Sequence, residues 1–201
     1  MQMNKRDIQR EETRAKILEA ALKTFSDHGF AAAGTREIAN RAGVNQGLIT
    51  YHFKSKEILW QQAAGKIFSE AREMMAEVMQ RNAGADPRTL SRNMIKAYVH
   101  FVARRPELLR FMVAEGGQDN ERVQWLVDTH LKPMYQAFQI TPSVDEDLKP
   151  HFFYAMTGAG SLMFAVGPVC SRLTGLDPAS ADAIETHAEF IAELLVPASP
   201  E

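Results

Sequence analysis

The chain has 201 residues, of which 45% are hydrophobic and 24% charged, with a formal net charge of −2. That is the composition of an ordinary soluble globular protein with room for one or two small domains. The single cysteine, Cys170, excludes an internal disulfide, and no Cys/His cluster has zinc-ligand spacing, so no metal or other cofactor is expected. Charge is unevenly placed. Residues 1–60 hold ten Lys/Arg against seven Asp/Glu, a balance of +3 that leaves −5 for the remainder. A basic first part suits a phosphate-bearing partner better than the net charge suggests.

Met1 to Arg14 is charged and polar and lacks the apolar stretch of a secretory signal, so the expected location is the cytoplasm. Apolar residues recur at helical spacing along nearly the whole chain and never in strand-like alternation, which predicts an all-α fold of about nine helices. Ile17, Leu18, Ala21, Leu22 and Phe25 define the first helix, 8–28, ending at His28-Gly29. Thr35 is a plausible N-cap for a short helix that stops at Gly43, and another short helix covers about 46–53. A long helix, 56–80, carries Leu59, Ala63, Ile67, Ala71, Met74 and Val78 on one face. The Arg81–Pro87 segment is the natural linker.

Asp86-Pro87, Pro106, Asp119 and Asp177-Pro178 read as helix starts, and Ser143 with Glu146 fits a capping box. These signals predict helices at 87–104, 106–116, 119–139, 145–174 and 178–196, with a kink at Pro133. His151–Ser171 contains no Asp, Glu, Lys or Arg and is long enough to raise the question of a membrane span. Gly158, Gly160, Gly167 and Pro168 dilute it and no basic cluster flanks it, so burial between helices is the expectation, with no membrane partner.

Thr35 to Phe53 is the informative stretch. Two short helices around Ala42-Gly43-Val44-Asn45 supply what a helix-turn-helix needs: small residues at the crossing, a glycine in the turn and apolar anchors. Ile38, Ala39, Val44, Ile49 and Phe53 are those anchors. Gln46, Gly47, Leu48, Thr50, Tyr51 and His52 are left outward on the second helix, where Gln can bond adenine and Thr or an apolar group can meet a thymine methyl. Thr35, Arg36 and Lys56 open helices, where free N–H groups favour phosphate. The competing reading of Tyr51 and His52 is packing against the long helix, and of Arg41 and Lys54 simple solvated charge.

Thr35-Arg36-Glu37-Ile38-Ala39, then Ala42-Gly43-Val44, Gly47, Tyr51-His52-Phe53 and Lys54-Ser55-Lys56-Glu57 resemble the DNA-binding domain of the TetR (tetracycline-repressor) family. With Ile17, Ala20-Ala21, Phe25 and Gly29-Phe30, the resemblance covers about residues 13–63. It implies an all-helical homodimer with a three-helix DNA-binding head, residues 1–55, and a ligand-binding and dimerisation domain, residues 56–201. It also implies a repressor that binds a pseudo-palindromic double-stranded operator and is released by a small-molecule effector. Carried over by position, Thr35 and Lys56 contact phosphate, Gln46, Gly47 and Leu48 approach bases, and Tyr51 and His52 touch backbone or bases. Asn45, where the family often has Ser or Thr, still caps a helix; Leu48 stands where a smaller residue is common.

In the second domain, Phe152, Met156, Ala159, Met163, Val166, Cys170 and Leu173 form an apolar stripe, joined by Ile184, His187, Ala188, Ile191 and Leu195 of the last helix. Helices 145–174 and 178–196 are therefore expected to pair with their copies in a second subunit, and Cys170 to be a small core residue. A largely apolar effector would fit among Met94, Tyr98, Phe101, Phe111, Met112, Trp125, Tyr154, Met156 and Phe164. Glu115, Asp128 and His130 are the polar candidates there, each expected at the surface. No nucleophile with its base, carboxylate pair or metal cluster stands at a persuasive spacing, which argues against an enzyme. A transcriptional activator and a nonspecific architectural DNA binder remain the alternatives.

Overall fold

The computed structural model describes residues 4–138 and 145–197, and every regular element among them is helical. Helix α1 (Lys5–Ala32) starts where the Asn4 side chain accepts the Asp7 N–H at 3.0 Å, several residues before the first periodic apolar position. It bends at Gly29, whose φ of 72° is a conformation glycine adopts without steric cost. α2 (Thr35–Ala42) has Gly34 as its N-cap, so Thr35 is the first helical residue and not the cap. Gly43, at φ 66°, closes α2 in the left-handed conformation. α3 (Gln46–Phe53) is capped by Asn45, whose Oδ1 accepts the Gly47 N–H at 2.8 Å, and α4 (Lys56–Arg81) by Ser55.

α5 (Pro87–Arg104) begins on Asp86 with a proline in its first turn, and α6 (Glu107–Gly116) follows Pro106. The single helix expected over 119–139 is divided. α7 (Glu121–Leu126) is capped by Asn120 and not Asp119, a π turn covers Val127–Leu131, and α8 (Lys132–Phe138) completes it. Pro133 cannot donate the helical hydrogen bond to residue 129, and the backbone widens in the turn just before it. Gln139 and Ser143 lie outside the described residues, so the proposed capping box does too.

The helix expected over 145–174 is also broken. A 3₁₀ turn at Glu146–Leu148 leads into α9 (Lys149–Ala165), and α10 (Gly167–Thr174) departs from it at 75°. Pro168 in the first turn of α10 has no N–H to continue α9, and Val166 leaves helical geometry at φ −111°, ψ 35°. α11 (Ala181–Leu195) starts on Ser180, three residues later than Pro178 suggested, because Asp177 instead accepts the Ala179 N–H in the preceding turn. Among the described residues no single helix is long and apolar enough to cross a membrane.

One continuous core joins the first three helices to the rest, running from Ile17, Phe25, Ile38 and Phe53 through Trp60 and Phe68 to Val99 and Ile191. α1 packs on both α4 and α6, and α11 on α5, where Arg92 and Glu193 pair at 2.7 Å. Two residues expected at the surface are inside: Glu115 is 2% exposed and His130 5%. Cys170, expected in the core, is only half-buried, on α10.

Glu115 on α6 accepts the backbone N–H of Phe30 at 2.7 Å and the Arg122 side chain at 3.2 Å. Removing it leaves an amide and a guanidinium facing a buried void. Glu115→Ala is therefore expected to cost about 3 kcal/mol in urea unfolding, whereas Val113→Ala, on the exposed side of α6, stays within about 0.5 kcal/mol. Equal, small losses for both would contradict the clasp.

His130 stacks on Phe68 with ring centres 5.0 Å apart and meets Trp125 edge-on at 5.1 Å. Burial, with the charge of Arg72 adding to it, lowers its pKa to about 4. The unfolded chain takes up this proton near pH 6.5 and the folded one only near 4, so the stability held above pH 6.5 is lost as the pH falls through that window. Between pH 7.5 and 5 the native protein should lose about 2 kcal/mol more than His130→Phe does. Parallel pH profiles would refute this assignment.

Candidate nucleic-acid interface and apolar cavity

α3 is held by two buried side chains, Ile49 and Phe53, at 3% and 1% exposure. Its other face meets solvent: Gln46, Gly47, Leu48, Thr50 and Tyr51 are exposed and His52 is half-buried. Gln46 Nε2 donates to Thr35 Oγ1 at 3.1 Å, which ties the first turns of α2 and α3 together beside the exposed Arg36. Asn45 spends its side-chain oxygen on capping α3. His52 is held below its ordinary pKa by burial and then by Arg10 and Arg14, so it presents a neutral imidazole at pH 7.

Lys56 differs from the other nine predicted contacts. Its Nζ donates to the Ala31 carbonyl at 3.3 Å and stands 4.6 Å from the centre of the Phe30 ring, half-buried at the seam between α1 and α4. Burial, followed by the neighbouring Arg122, lowers its pKa.

The sequence reading passed over a basic stripe on α1. Arg10 lies over the Tyr51 ring at 5.8 Å and Arg14 over Phe53 at 5.4 Å, both within cation–π range. Arg6, Arg10 and Arg14 recur every four residues, so a helical-wheel reading of the charges, and not only of the apolar positions, would have found them. Lys54, exposed and at φ 52°, closes α3 at its other end.

An apolar cavity lies behind α4. One lobe is walled by α4, α5, α6, α8, α9 and the π turn. A second lies between α4, α5, α8 and α9. The lobes share Met75, Met94 and Phe138. Of the predicted lining, Met94, Tyr98, Met112 and Met156 face the first lobe. Phe101 and Phe111 are core residues, Phe111 stacked on Trp60 at 5.3 Å. Trp125 is wedged between Trp60 and His130, and Phe164 packs on His187. Tyr154 faces solvent at 72% exposure.

Met74, Met75, Met134, Phe138 and Phe153 were missed, and their signal is compositional: seven of the ten methionines line one lobe or the other. Tyr98 bonds Ser161 Oγ at 2.6 Å, and burial pushes its phenol up to about 12, so it stays neutral. Asp128 is exposed and accepts from Gln124 at 2.7 Å, away from the cavity. Glu115 turns to Phe30 instead, and His130 stands behind Phe68, which forms part of the wall.

Residues 17–63 match the model of bacterial regulatory proteins of the tetR family. The chain is 32% identical over 155 residues to the transcriptional regulatory protein RaaS of Mycobacterium tuberculosis, across 75% of this chain and 70% of that one. It is 28% identical over 194 residues to the transcriptional repressor Rv3405c of the same species, covering 94% and 92% of the two chains. Its fold matches that of the Bacillus subtilis transcriptional regulator FadR, solved in complex with stearoyl-CoA, with a TM-score of 0.61, 18% identity and coverage of 91% and 97%. This chain belongs to the TetR family of bacterial transcriptional regulators, and its helix-turn-helix is a DNA-binding element.

Proposed function

We propose that the protein is a repressor that binds a pseudo-palindromic operator as a homodimer and releases it when a small, largely apolar effector enters the cavity behind α4. The observation that carries the DNA half is the division of α3 between two buried anchors and a solvent-facing row of Gln46, Thr50 and Tyr51. An exposed helix face carrying such side chains can lie in the major groove and reach base edges. In this reading residues 1–55 form the DNA-binding unit and 56–201 the effector and dimer unit, acting in the cytoplasm by binding and without catalysis. Thr35, Arg36 and the α1 arginines grip phosphate, Gln46, Gly47 and Leu48 approach bases, and Tyr51 and His52 complete the contact. Asn45 and Lys56 serve chiefly by setting the positions of α3 and α4.

The dimer half rests on a surface of α9, α10 and α11 where Leu162, Val169, Leu173, Phe190 and Leu194 are each more than half exposed, Leu173 at 81%. An apolar face of this extent calls for a cover, and a second copy of the same face satisfies it with two-fold symmetry. Two heads are then held about 34–36 Å apart, one turn of DNA. The effector acts through α4 and α6. Both helices line the cavity and both touch α1, so a ligand that favours another head spacing weakens DNA binding by the difference in its affinity for the two states.

Selection of bound DNA in vitro, followed by footprinting, tests the operator, and a promoter reporter separates repression from activation. A discrete palindromic footprint supports the reading, while uniform coverage would point to an architectural binder. On the selected site, Gln46→Ala should lower affinity about tenfold or more and relax sequence preference. Arg10→Ala should weaken all sequences alike and reduce the slope of log affinity against log salt by about 1. A base-specific loss from Arg10→Ala would contradict its role as a phosphate contact.

Leu173→Glu should convert the dimer to a monomer in sedimentation equilibrium without unfolding it, and abolish high-affinity operator binding. A Leu173→Glu protein that still sediments as a dimer would place the interface elsewhere.

A further inference from the structure

The two lobes behind α4 differ from a general-purpose apolar pocket in what their walls lack. Among the described residues, neither lobe is faced by an Asp, Glu, Lys, Arg or His side chain. Their hydroxyls are already engaged: Ser91 donates to the Pro87 carbonyl at 2.7 Å, Thr157 to the Phe153 carbonyl at 2.9 Å, and Tyr98 pairs with Ser161. Each hydroxyl oxygen keeps lone pairs, so the walls can receive a hydrogen bond from a small donor. They hold no counter-charge for an ion, and an ion taken from water into such walls loses its hydration without replacement.

Shape adds a second restriction. Met75, Met94 and Phe138 line both lobes, so the two adjoin across these three side chains and together make a longer site than either alone. Unbranched methionine side chains adapt to the cross-section of a ligand at little cost. A chain-like molecule spanning both lobes is therefore favoured over a compact or globular one.

We propose that the effector site selects an uncharged, elongated lipophile bearing at most a small hydroxyl-type donor, and rejects carboxylates and quaternary ammonium ions of the same length. This deepens the effector-release reading and rests on it only for the site's regulatory role. Charge, and not the identity of the apolar body, is the discriminating property.

The test uses the full-length protein, with displacement of the neutral fluorophore N-phenyl-1-naphthylamine by decanol, decanoate and decyltrimethylammonium below their micellar concentrations. Decanol should compete at concentrations at least about 100-fold lower than either ion at pH 8. Decanoate should improve about tenfold per pH unit as the pH falls from 8 to 6.5, following its neutral fraction. Decanoate or the ammonium ion competing within about threefold of decanol, or no displacement by decanol at all, would overturn the proposal.

Met94→Trp, which enlarges the side chain shared by the two lobes, should weaken decanol at least about tenfold while leaving hexanol within about twofold. Its operator affinity and melting temperature report whether it has folded. Equal losses for both alcohols in a folded variant would refute the two-lobed mode. Measuring operator affinity with decanol bound separates the two claims. Lipophiles that bind in the predicted order without weakening operator binding uphold the selectivity and remove the effector-release reading. Operator binding that persists in a protein taking up no lipophile removes the selectivity alone.

Discussion

A buried carboxylate sets where the DNA-binding helices sit. Gly29 breaks α1 one turn before its end, and the Phe30 amide beyond the break points at Glu115 of α6. Arg122 of α7 neutralises the same carboxylate and lies over the Phe30 ring at 4.1 Å, with Lys56 on that ring at 4.6 Å. Four segments of the chain thus meet at one peptide. An unpaired carboxylate at this depth would be strongly unfavourable, so the three contacts stand or fall together. The end of α1 and the start of α4 are fixed to α6 more firmly than apolar packing alone would achieve, because hydrogen bonds have direction and packing has little.

The clasp and the cavity share α6. Leu108 and Met112 face the first lobe, while Glu115, less than one turn beyond Met112, holds Phe30. A second connection runs through rings. Phe25 lies against Phe30, Phe30 against Trp60, Trp60 against Trp125, Trp125 against His130, and His130 on Phe68 in the cavity wall. Contiguity of this kind does not by itself transmit anything. What α6 adds is a rigid body with a cavity contact and a head contact, so that a displacement at Met112 is also a displacement at Glu115.

The helix-turn-helix was legible because its determinants are local. Gly43, Asn45 and Ser55 act on residues within four positions of themselves, and the anchors Ile38, Ile49 and Phe53 follow from spacing alone. Glu115 was not legible, since its partner lies 85 residues away and nothing near it in sequence marks it as internal. The same holds for His130, which only the fold brings between Phe68 and Trp125. The cavity was half legible. Aromatic residues drew attention first, yet Phe101, Phe111 and Phe164 are core and Tyr154 is exposed, while the adaptable methionines of α4 and α8 form the wall. Gly167-Pro168 announced the break after α9, and the charge-free run around it outweighed that local signal.

The bend between α9 and α10 connects these observations to assembly. A straight charge-free helix of that length would present apolar residues all round and demand a cover on every side. Turning by 75° at Val166 divides the run, so that Met156 and Phe164 face inward while Val169 and Leu173 continue an outer apolar surface with Leu194 of α11. A neighbouring copy can cover that surface without reaching the cavity, to whose walls only α9 of these helices contributes. In the proposed dimer, the contact with the second copy and the cavity therefore lie on opposite sides of α9. In that dimer, a change in the tilt of α9 would alter both the fit of an effector and the angle between the two heads, which adds to the connection that α4 and α6 make with α1.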